Sequence, residues 1–173
     1  MKNSDSIFDV LPKDNWATIL SSACTELLKQ RERITVCIFG RTGSGKSTLG
    51  KQIRKKGLPS IFPAKIALID DGVLSAPLLG IFNRRIKILS ATRDELAPFE
   101  PYLLKKKIIV YVSQLPERRI SSCDVAVRVI CNEDVRRSRL MSRNEDGEQR
   151  FLASVSGPDS TTITALRYFD FHS

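Results

Sequence analysis

Apolar residues along this chain form short runs, separated by turns or by segments in which apolar positions recur at helical spacing. Four runs are almost entirely apolar, which is typical of parallel strands buried on both faces: 34–39, 65–71, 106–112 and 124–130. A weaker run predicts a fifth strand over 161–169. Because strands alternate with helical segments, the pattern predicts a mostly parallel sheet of five strands with right-handed crossovers and helices on both faces.

Two of the helical segments can be assigned to residue ranges. Apolar residues from Trp16 to Leu28 recur at helical spacing, which predicts an N-terminal helix over about 14–30 that packs on the sheet. The segment 91–104 also favours a helix, but Pro98 and Pro101 interrupt it. We expect two short helical pieces there, joined by a bend.

Composition narrows the class of protein. The chain has 173 residues, enough for one α/β domain, and no repeat or linker divides residues 1–173. No segment approaches the roughly 20 apolar residues of a membrane span, and the four cysteines show no C-x-x-C spacing, so we expect a cytoplasmic protein without membrane contact. The single histidine, His172, argues against imidazole metal sites and Ser-His or Cys-His pairs unless the terminus folds back. The oligomeric state stays open.

The most informative motif follows the first predicted strand. Gly40-Arg41-Thr42-Gly43-Ser44-Gly45-Lys46-Ser47 fits the phosphate-binding pattern G-x-x-x-x-G-K-[ST], and good helix formers follow it. Its glycines let the chain turn and bring backbone N–H groups to phosphate oxygens, while Lys46 reaches the β- and γ-phosphates. The Ser47 hydroxyl completes the shell of a Mg²⁺ ion. We therefore predict ATP and Mg²⁺ as cofactors, with ATP held by residues Gly40 to Thr48, and prefer ATP because no Asn-Lys-x-Asp guanine motif is present.

Two neighbouring carboxylates end the second predicted strand. In a parallel sheet, Asp70 and Asp71 would share the edge that carries the phosphate loop. One of them can accept or orient the proton of an attacking hydroxyl, and the other can hold Mg²⁺ through water, for which we select Asp70. Which of the two is catalytic stays open, and so does the alternative that one caps a helix beginning at Val73.

A basic helix is predicted over about 133–143. Its Arg136, Arg139 and Arg143 are spaced to lie on one face, where they can close over the triphosphate as a lid. Arg139 is also a candidate ATP contact. The alternative is a solvated basic helix whose arginines pair with the acidic residues of 145–148.

The order of these parts resembles the P-loop kinases of the nucleoside and nucleotide kinase type. The resemblance covers about residues 34–151 and is carried by Gly40–Ser47, Ile69–Asp71, Cys123–Val129 and Arg136–Arg143. The run from Pro116 to Gly147 is similar to dephospho-coenzyme A kinases, and 124–143 is also similar to uridine kinases. This resemblance implies the three-layer sandwich of P-loop NTPases and phosphoryl transfer from ATP to a small-molecule acceptor. It also implies that Asp70 or Asp71 serves the accepting hydroxyl and that Arg136, Arg139 and Arg143 belong to a lid.

One departure from the pattern of P-loop families leaves other functions open. Ser113-Gln114-Leu115 follows the third predicted strand without the acidic residue that several P-loop families place there. A P-loop ATPase, or a nucleotide-dependent binding or regulatory protein without kinase activity, is therefore the second hypothesis. The third is a module that binds nucleic acid through the net charge of +9, although the basic residues are spread along the chain and anionic small substrates explain them equally well.

Overall fold

The computed structural model describes residues 8–70, 72–78, 82–87, 96–143, 145–155 and 161–173. Its strands are β1 (Asp9–Leu11), β2 (Ile34–Phe39), β3 (Ile66–Asp70), β4 (Val73–Leu78), β5 (Phe82–Lys87), β6 (Ile108–Val112), β7 (Val125–Ile130) and β8 (Arg167–His172). Its α-helices are α1 (Trp16–Leu28), α2 (Lys46–Lys56), α3 (Glu100–Leu103), α4 (Glu133–Met141) and α5 (Gly147–Val155). Short 3₁₀ helices occupy Pro63–Lys65, Ala97–Phe99 and Pro116–Arg118.

All eight strands form one sheet in the order β1-β8-β7-β2-β6-β3-β4-β5. In this order across the sheet, each pair of neighbours from β1 to β3 is parallel, and only the β3–β4 and β4–β5 pairings are antiparallel. The predicted α/β class and mostly parallel sheet are thus confirmed. The predicted number of five strands is wrong, because β1 extends one edge and the β4–β5 hairpin extends the other.

The antiparallel pairing of β3 with β4 corrects a specific alternative. Val73 begins β4 and pairs with Asp70, the last residue of β3, and the adjacent Gly72 has a φ of 76°. A helix beginning at Val73, capped by an aspartate, is therefore wrong. The Asp-Gly dipeptide at 71–72 is a strong hairpin signal in the sequence. Asp71 itself lies outside the described residues.

The apolar side chains of the strands form a core on each face of the sheet. On one face, residues such as Val36, Ile38 and Val110 pack under α1 and α2. On the other, residues such as Ile69 and Tyr111 pack against Phe99 and Leu103 of the short helices before β6. Because both faces are covered, the central strands read as continuous apolar runs rather than as alternating ones.

Two predicted boundaries shift in the structure, and the prediction for the proline-containing segment is confirmed. The weak run at 161–169 gives a strand that starts six positions later, at Arg167, because Thr164 makes only an isolated bridge with Ser122. The basic helix ends at Met141, so Arg143 follows it. Pro98 and Pro101 lie in two successive short helices, as predicted, while residues 91–95 are outside the described part.

Within the described ranges, no helix has both the length and the apolar character needed to cross a membrane.

Candidate functional site

The phosphate loop connects the carboxyl end of β2 to the amino end of α2. Its glycines Gly40, Gly43 and Gly45 have φ values of 136°, 83° and 100°, in the region that favours glycine. A Cβ on Gly40 would lie 2.5 Å from the carbonyl oxygen of Val129 in β7. Gly40 therefore allows the loop to leave β2 close against the neighbouring strand.

Gly43 has a role that the motif does not reveal. A Cβ built on it would lie 3.0 Å from Leu140 Cγ and 3.1 Å from Arg136 Cγ, both on α4. At Gly45 the nearest atoms to a Cβ are 3.5 Å or more away. Gly43 thus lets α4 pack against the loop, whereas Gly45 faces more open space at the start of α2.

Lys46 lies over the loop rather than extending away from it. Its Nζ donates a hydrogen bond to the carbonyl oxygen of Arg41 at 2.8 Å. Since Lys46 is also the first residue of α2, its ammonium is held beside the positive end of that helix. The loop therefore concentrates positive charge where an anion would sit.

Asp70 reaches the loop from the end of β3. The Ser47 hydroxyl donates to Asp70 Oδ1 at 3.1 Å, and both side chains are partly buried. The sheet order explains this contact, because β3 is separated from β2 only by β6 and all three strands end at the same edge. The structure thus brings together the two residues predicted to hold Mg²⁺.

Gln114 is a contact that the sequence reading missed. The hydroxyl of Thr42 in the loop donates to Gln114 Oε1 at 2.8 Å, just beyond β6. The sequence drew attention to this segment only because it lacks an acidic residue. Once β6 is placed beside β2, the residue that follows β6 must lie next to the loop.

Of the three arginines predicted on one face, Arg136 is buried, with 1% of its surface exposed. Its guanidinium bonds to Glu133, to Ser154 of α5 and to the Thr42 carbonyl at 3.2 Å, and it stacks over Phe151 at 4.6 Å. These contacts use the hydrogen-bond donors of the guanidinium, and they indicate that Arg136 has a structural role in the packing of α4. A lid position over a triphosphate does not agree with this burial.

Arg139 and Arg143 lie nearer the opening of the loop. Arg139 Nη1 contacts the Ser44 carbonyl at 3.4 Å and the Ser173 hydroxyl at 3.1 Å. Arg143 is exposed, and its guanidinium has no hydrogen-bond partner among the described residues. The three arginines therefore do not act from one face: Arg136 is buried beneath the loop, whereas Arg139 and Arg143 lie beside it.

Two connected concavities adjoin the loop. A small polar depression of about 40 Å³ is lined by Gly43, Gly45, Lys46, Ser47, Thr48 and Arg143. A larger cavity of about 320 Å³ shares Gly45, Thr48 and Arg143 with it and adds Leu49, Gln52, Arg139, Phe171 and Ser173. Phe171 and Ser173 were not predicted as site residues, although the carboxyl end of any parallel strand is expected at this edge.

The electrostatics of the site centre on Glu133. Hydrogen bonding to Arg136, and then to Arg41, holds the pKa of Glu133 below its ordinary value despite some desolvation. Glu133 thus stays ionised and links the loop to α4 through Arg41 at 3.0 Å.

The donors near the loop suit Mg²⁺ better than a metal that needs an all-protein cage. In the described residues, no three His, Cys, Asp or Glu side chains come together in a metal-binding cluster. One hydroxyl and one carboxylate, from Ser47 and Asp70, are the kind of partial shell that Mg²⁺ completes with phosphate and water.

In comparisons with protein-family models, curated proteins and solved structures, nothing matches this chain.

Proposed function

We propose that this chain is an ATP- and Mg²⁺-dependent phosphotransferase that acts on a small-molecule phosphate acceptor. The observation that carries the proposal is the hydrogen bond from Ser47 to Asp70 at the mouth of the glycine loop. A hydroxyl and a carboxylate in contact beside an anion-binding loop are the protein ligands that a magnesium–nucleotide complex needs.

The proposed fold is the three-layer sandwich of P-loop NTPases. Two features support it: the loop follows β2, a central strand of the sheet, and α2 starts at the loop with its positive end facing the opening. The additional strands β1, β4 and β5 lie at the edges and leave this central arrangement intact.

The two concavities fit the parts of ATP. The polar depression around Lys46 and Ser47 suits the phosphates, and the adjoining cavity of about 320 Å³, with Leu49 and Phe171 in its lining, suits an adenine ring. When bound, Mg²⁺·ATP supplies the γ-phosphoryl group and neutralises part of its charge. The atoms nearest to a Cβ at Gly45 are side-chain atoms of Arg139 and Ser173, two residues that line the larger cavity.

Each residue of the site then has a distinct task. Lys46 exchanges its present hydrogen bond to the Arg41 carbonyl for phosphate oxygens, which accept more strongly because they are charged. Arg139 and Arg143 are placed beside the cavity, where their charge can stabilise the transferring group. Arg136 contributes by holding the loop through the Thr42 carbonyl.

The contact with Ser47 favours a metal-holding role for Asp70. A carboxylate committed to the metal is poorly placed to accept the proton of the acceptor hydroxyl as well. We therefore assign the acceptor side to Asp71, which follows directly in sequence and remains a prediction because it lies outside the described residues.

The test is transfer of label from [γ-³²P]ATP to a panel of nucleosides, nucleotides and dephospho-coenzyme A. We expect one acceptor to be labelled by the wild-type protein, and we expect Lys46→Ala to reduce transfer by about a hundredfold or more, because it removes a cation at the developing charge. Lys51→Ala is the matched control, since Lys51 is exposed one turn further along α2.

Tight ATP binding without transfer to any acceptor would contradict the kinase proposal. If the label were instead released to water at a rate that acceptors do not change, a regulatory ATPase would be the better description. The segment after β6 allows that second candidate, because Gln114 contacts the loop where other P-loop proteins carry an acidic residue.

A further inference from the structure

We propose that the end of the molecule opposite the phosphate loop binds single-stranded nucleic acid. This end, at the amino ends of β3 and β6, carries the cations Arg54, Lys65, Lys105, Lys106 and Lys107, which together we call the basic end. The proposal concerns a surface separate from the phosphate loop and does not depend on the proposed kinase activity.

The sheet register sets two lysines side by side. Lys65 and Lys107 immediately precede Ile66 and Ile108, which are paired residues of neighbouring parallel strands. The Lys107 N–H donates to the Lys65 carbonyl at 2.7 Å, so the two backbones are in contact. Neighbouring strands are about 4.8 Å apart, and both lysines are exposed, so the fold itself fixes two positive charges close together.

A third cation continues this row but is already neutralised. Arg33 precedes Ile34, which pairs with Ile108 from the other side. Its guanidinium lies 2.5 Å from Glu100 Oε1. Within the described part of the chain, no carboxylate lies at salt-bridge distance from the lysines of the basic end, so their charge is available to an external anion.

Lys106 shows how closely the cations approach one another. Its Nζ donates to the Ala64 carbonyl at 2.8 Å, which directs it across the surface toward β3. Partial burial lowers the pKa of Lys106, and the nearby charges of Arg54 and Lys65 lower it further. An anion bound there would relieve this repulsion.

Exposed aromatic residues lie in the segments that carry these cations, since Phe62 is three residues before Lys65 and Tyr102 is three residues before Lys105. Phe62 is 79% exposed and Tyr102 is 45% exposed. Tyr102 lines a shallow concavity together with Arg54 and Lys106. Cations alone would fit a nucleic acid duplex or an anionic membrane as well. Aromatic rings beside cations favour a single strand, because its unstacked bases can stack on them while its phosphates meet the lysines.

The basic end and the phosphate loop can be occupied at the same time. The loop follows the carboxyl end of β2, and the basic end lies at the amino ends of the neighbouring strands. The six residues of β2 separate the two sites by about 20 Å.

Fluorescence anisotropy with labelled oligouridylate of about 20 nucleotides, longer than the sites typical of single-strand binders, tests the proposal. Titrations at several salt concentrations between about 50 and 200 mM give both affinity and salt dependence. The double variant Lys65→Gln/Lys107→Gln is compared with Lys13→Gln/Lys51→Gln, which removes the same charge from exposed positions elsewhere. Phe62→Ala tests stacking at a site that is exposed and outside the core.

We expect Lys65→Gln/Lys107→Gln to weaken binding and to reduce the slope of log affinity against log salt by about 1.4, for two lost phosphate contacts. The control pair retains the wild-type slope. Phe62→Ala weakens binding roughly tenfold without changing the slope, because stacking carries no counterion release. Lys46→Ala binds the RNA as the wild type does, whether or not the protein is a kinase.

Three results would overturn the proposal. A loss of affinity in the control pair as large as that in the basic-end pair would mean that only net charge matters. A duplex of equal length bound as tightly as the single strand would exclude recognition by stacking. Preference for vesicles containing phosphatidylserine over oligouridylate would identify the surface as a membrane contact instead.

Discussion

At the scale of single residues, the three glycines of the phosphate loop are required for different reasons. Gly40 permits close approach to the Val129 carbonyl, and Gly43 permits the contact with Leu140 and Arg136 of α4. Gly45 has left-handed backbone geometry but more space around it. A motif that repeats one residue type therefore combines a strand contact, a helix contact and a position where only the backbone conformation requires glycine.

Replacing these glycines should reveal the difference. Both Gly43→Ala and Gly45→Ala impose a left-handed φ on alanine, at a cost of about 1–2 kcal/mol. We expect Gly43→Ala to lose about 1 kcal/mol more of the free energy of unfolding, because its methyl group also crowds α4. Urea unfolding measures both values, and an equal or larger loss for Gly45→Ala would show that α4 does not pack on the loop as described.

Glu133 should make stability depend on pH. Its pKa is lowered in the folded protein, so its contribution is complete above the ordinary value of 4.5 and is lost as pH falls through the folded-state pKa. We expect Glu133→Gln to lower Tm near neutral pH, with the difference from wild type vanishing in acid below that value. Differential scanning calorimetry across pH measures this, with Glu145→Gln, an exposed carboxylate, as the control. A difference that persisted unchanged in acid would assign the effect to something other than the Glu133 charge.

At the scale of elements, α4 is the support of the phosphate loop. The helix starts at an N-cap, since the Asn132 side chain accepts from the Asp134 N–H at 2.9 Å. From there Arg136 reaches the Thr42 carbonyl and Arg139 reaches the Ser44 carbonyl, so one helix holds two loop carbonyls. The loop conformation thus depends on the packing of α4.

The two arginines of α4 should separate stability from nucleotide binding. Arg136→Met removes a buried cation that bonds to Glu133, Ser154 and the loop. We expect it to lower the free energy of unfolding by about 2–3 kcal/mol. This loss is smaller than that for a fully buried ion pair, because Glu133 is half-exposed. Arg139→Gln should cost less than about 1 kcal/mol, because its contacts are long, and should mainly weaken ATP binding. Chemical denaturation together with ATP titration distinguishes them, and the opposite pattern would contradict both assignments.

The sequence predicted elements better than it predicted the faces they present. Apolar runs located the four central strands β2, β3, β6 and β7 because both faces of these strands are buried, so burial is recorded directly in residue type. The strand β8, which is exposed at both ends, gave only a weaker run, and its start was predicted six positions too early. The β3–β4 hairpin was missed although the Asp-Gly dipeptide at 71–72 signals it. The burial of Arg136 was not predictable from helical spacing, because spacing gives the angle between side chains but not which of them meets α5. The contact of Ser47 with Asp70 was predictable because a topological rule, the shared edge of parallel strands, determines it.

At the scale of the whole molecule, the sheet separates two surfaces with different chemistry. The carboxyl edge carries the phosphate loop, Asp70 and the two connected concavities. The amino edge carries the basic end and its exposed aromatic rings. Part of the net charge of +9 therefore lies far from the loop, in the cations of the basic end.

Nucleotide binding should stabilise the whole domain. At a concentration of Mg²⁺·ATP about 100 times its Kd, binding adds about 2.7 kcal/mol to the free energy of unfolding. For a chain of 173 residues this corresponds to a rise in Tm of about 5–10 °C. Thermal denaturation with and without Mg²⁺·ATP measures the rise in Tm of the wild type. Lys51→Ala is the control, and Lys46→Ala is the variant that lacks the loop cation. A rise of the same size in Lys46→Ala would place the nucleotide elsewhere.

The most direct test of the central claim is isothermal titration of ATP with and without Mg²⁺, in the wild type and in Asp70→Asn. Mg²⁺ should increase ATP affinity in the wild type and in the control Asp146→Asn, which alters an exposed carboxylate that pairs with Arg150. Asp70→Asn should bind ATP normally in EDTA but lose about tenfold or more of the gain from Mg²⁺, because it removes the charge beside Ser47. Two results would contradict the assignment of this loop as a magnesium–ATP site: an ATP affinity of the wild type that does not change with Mg²⁺, or a full Mg²⁺-dependent gain in ATP affinity in Asp70→Asn.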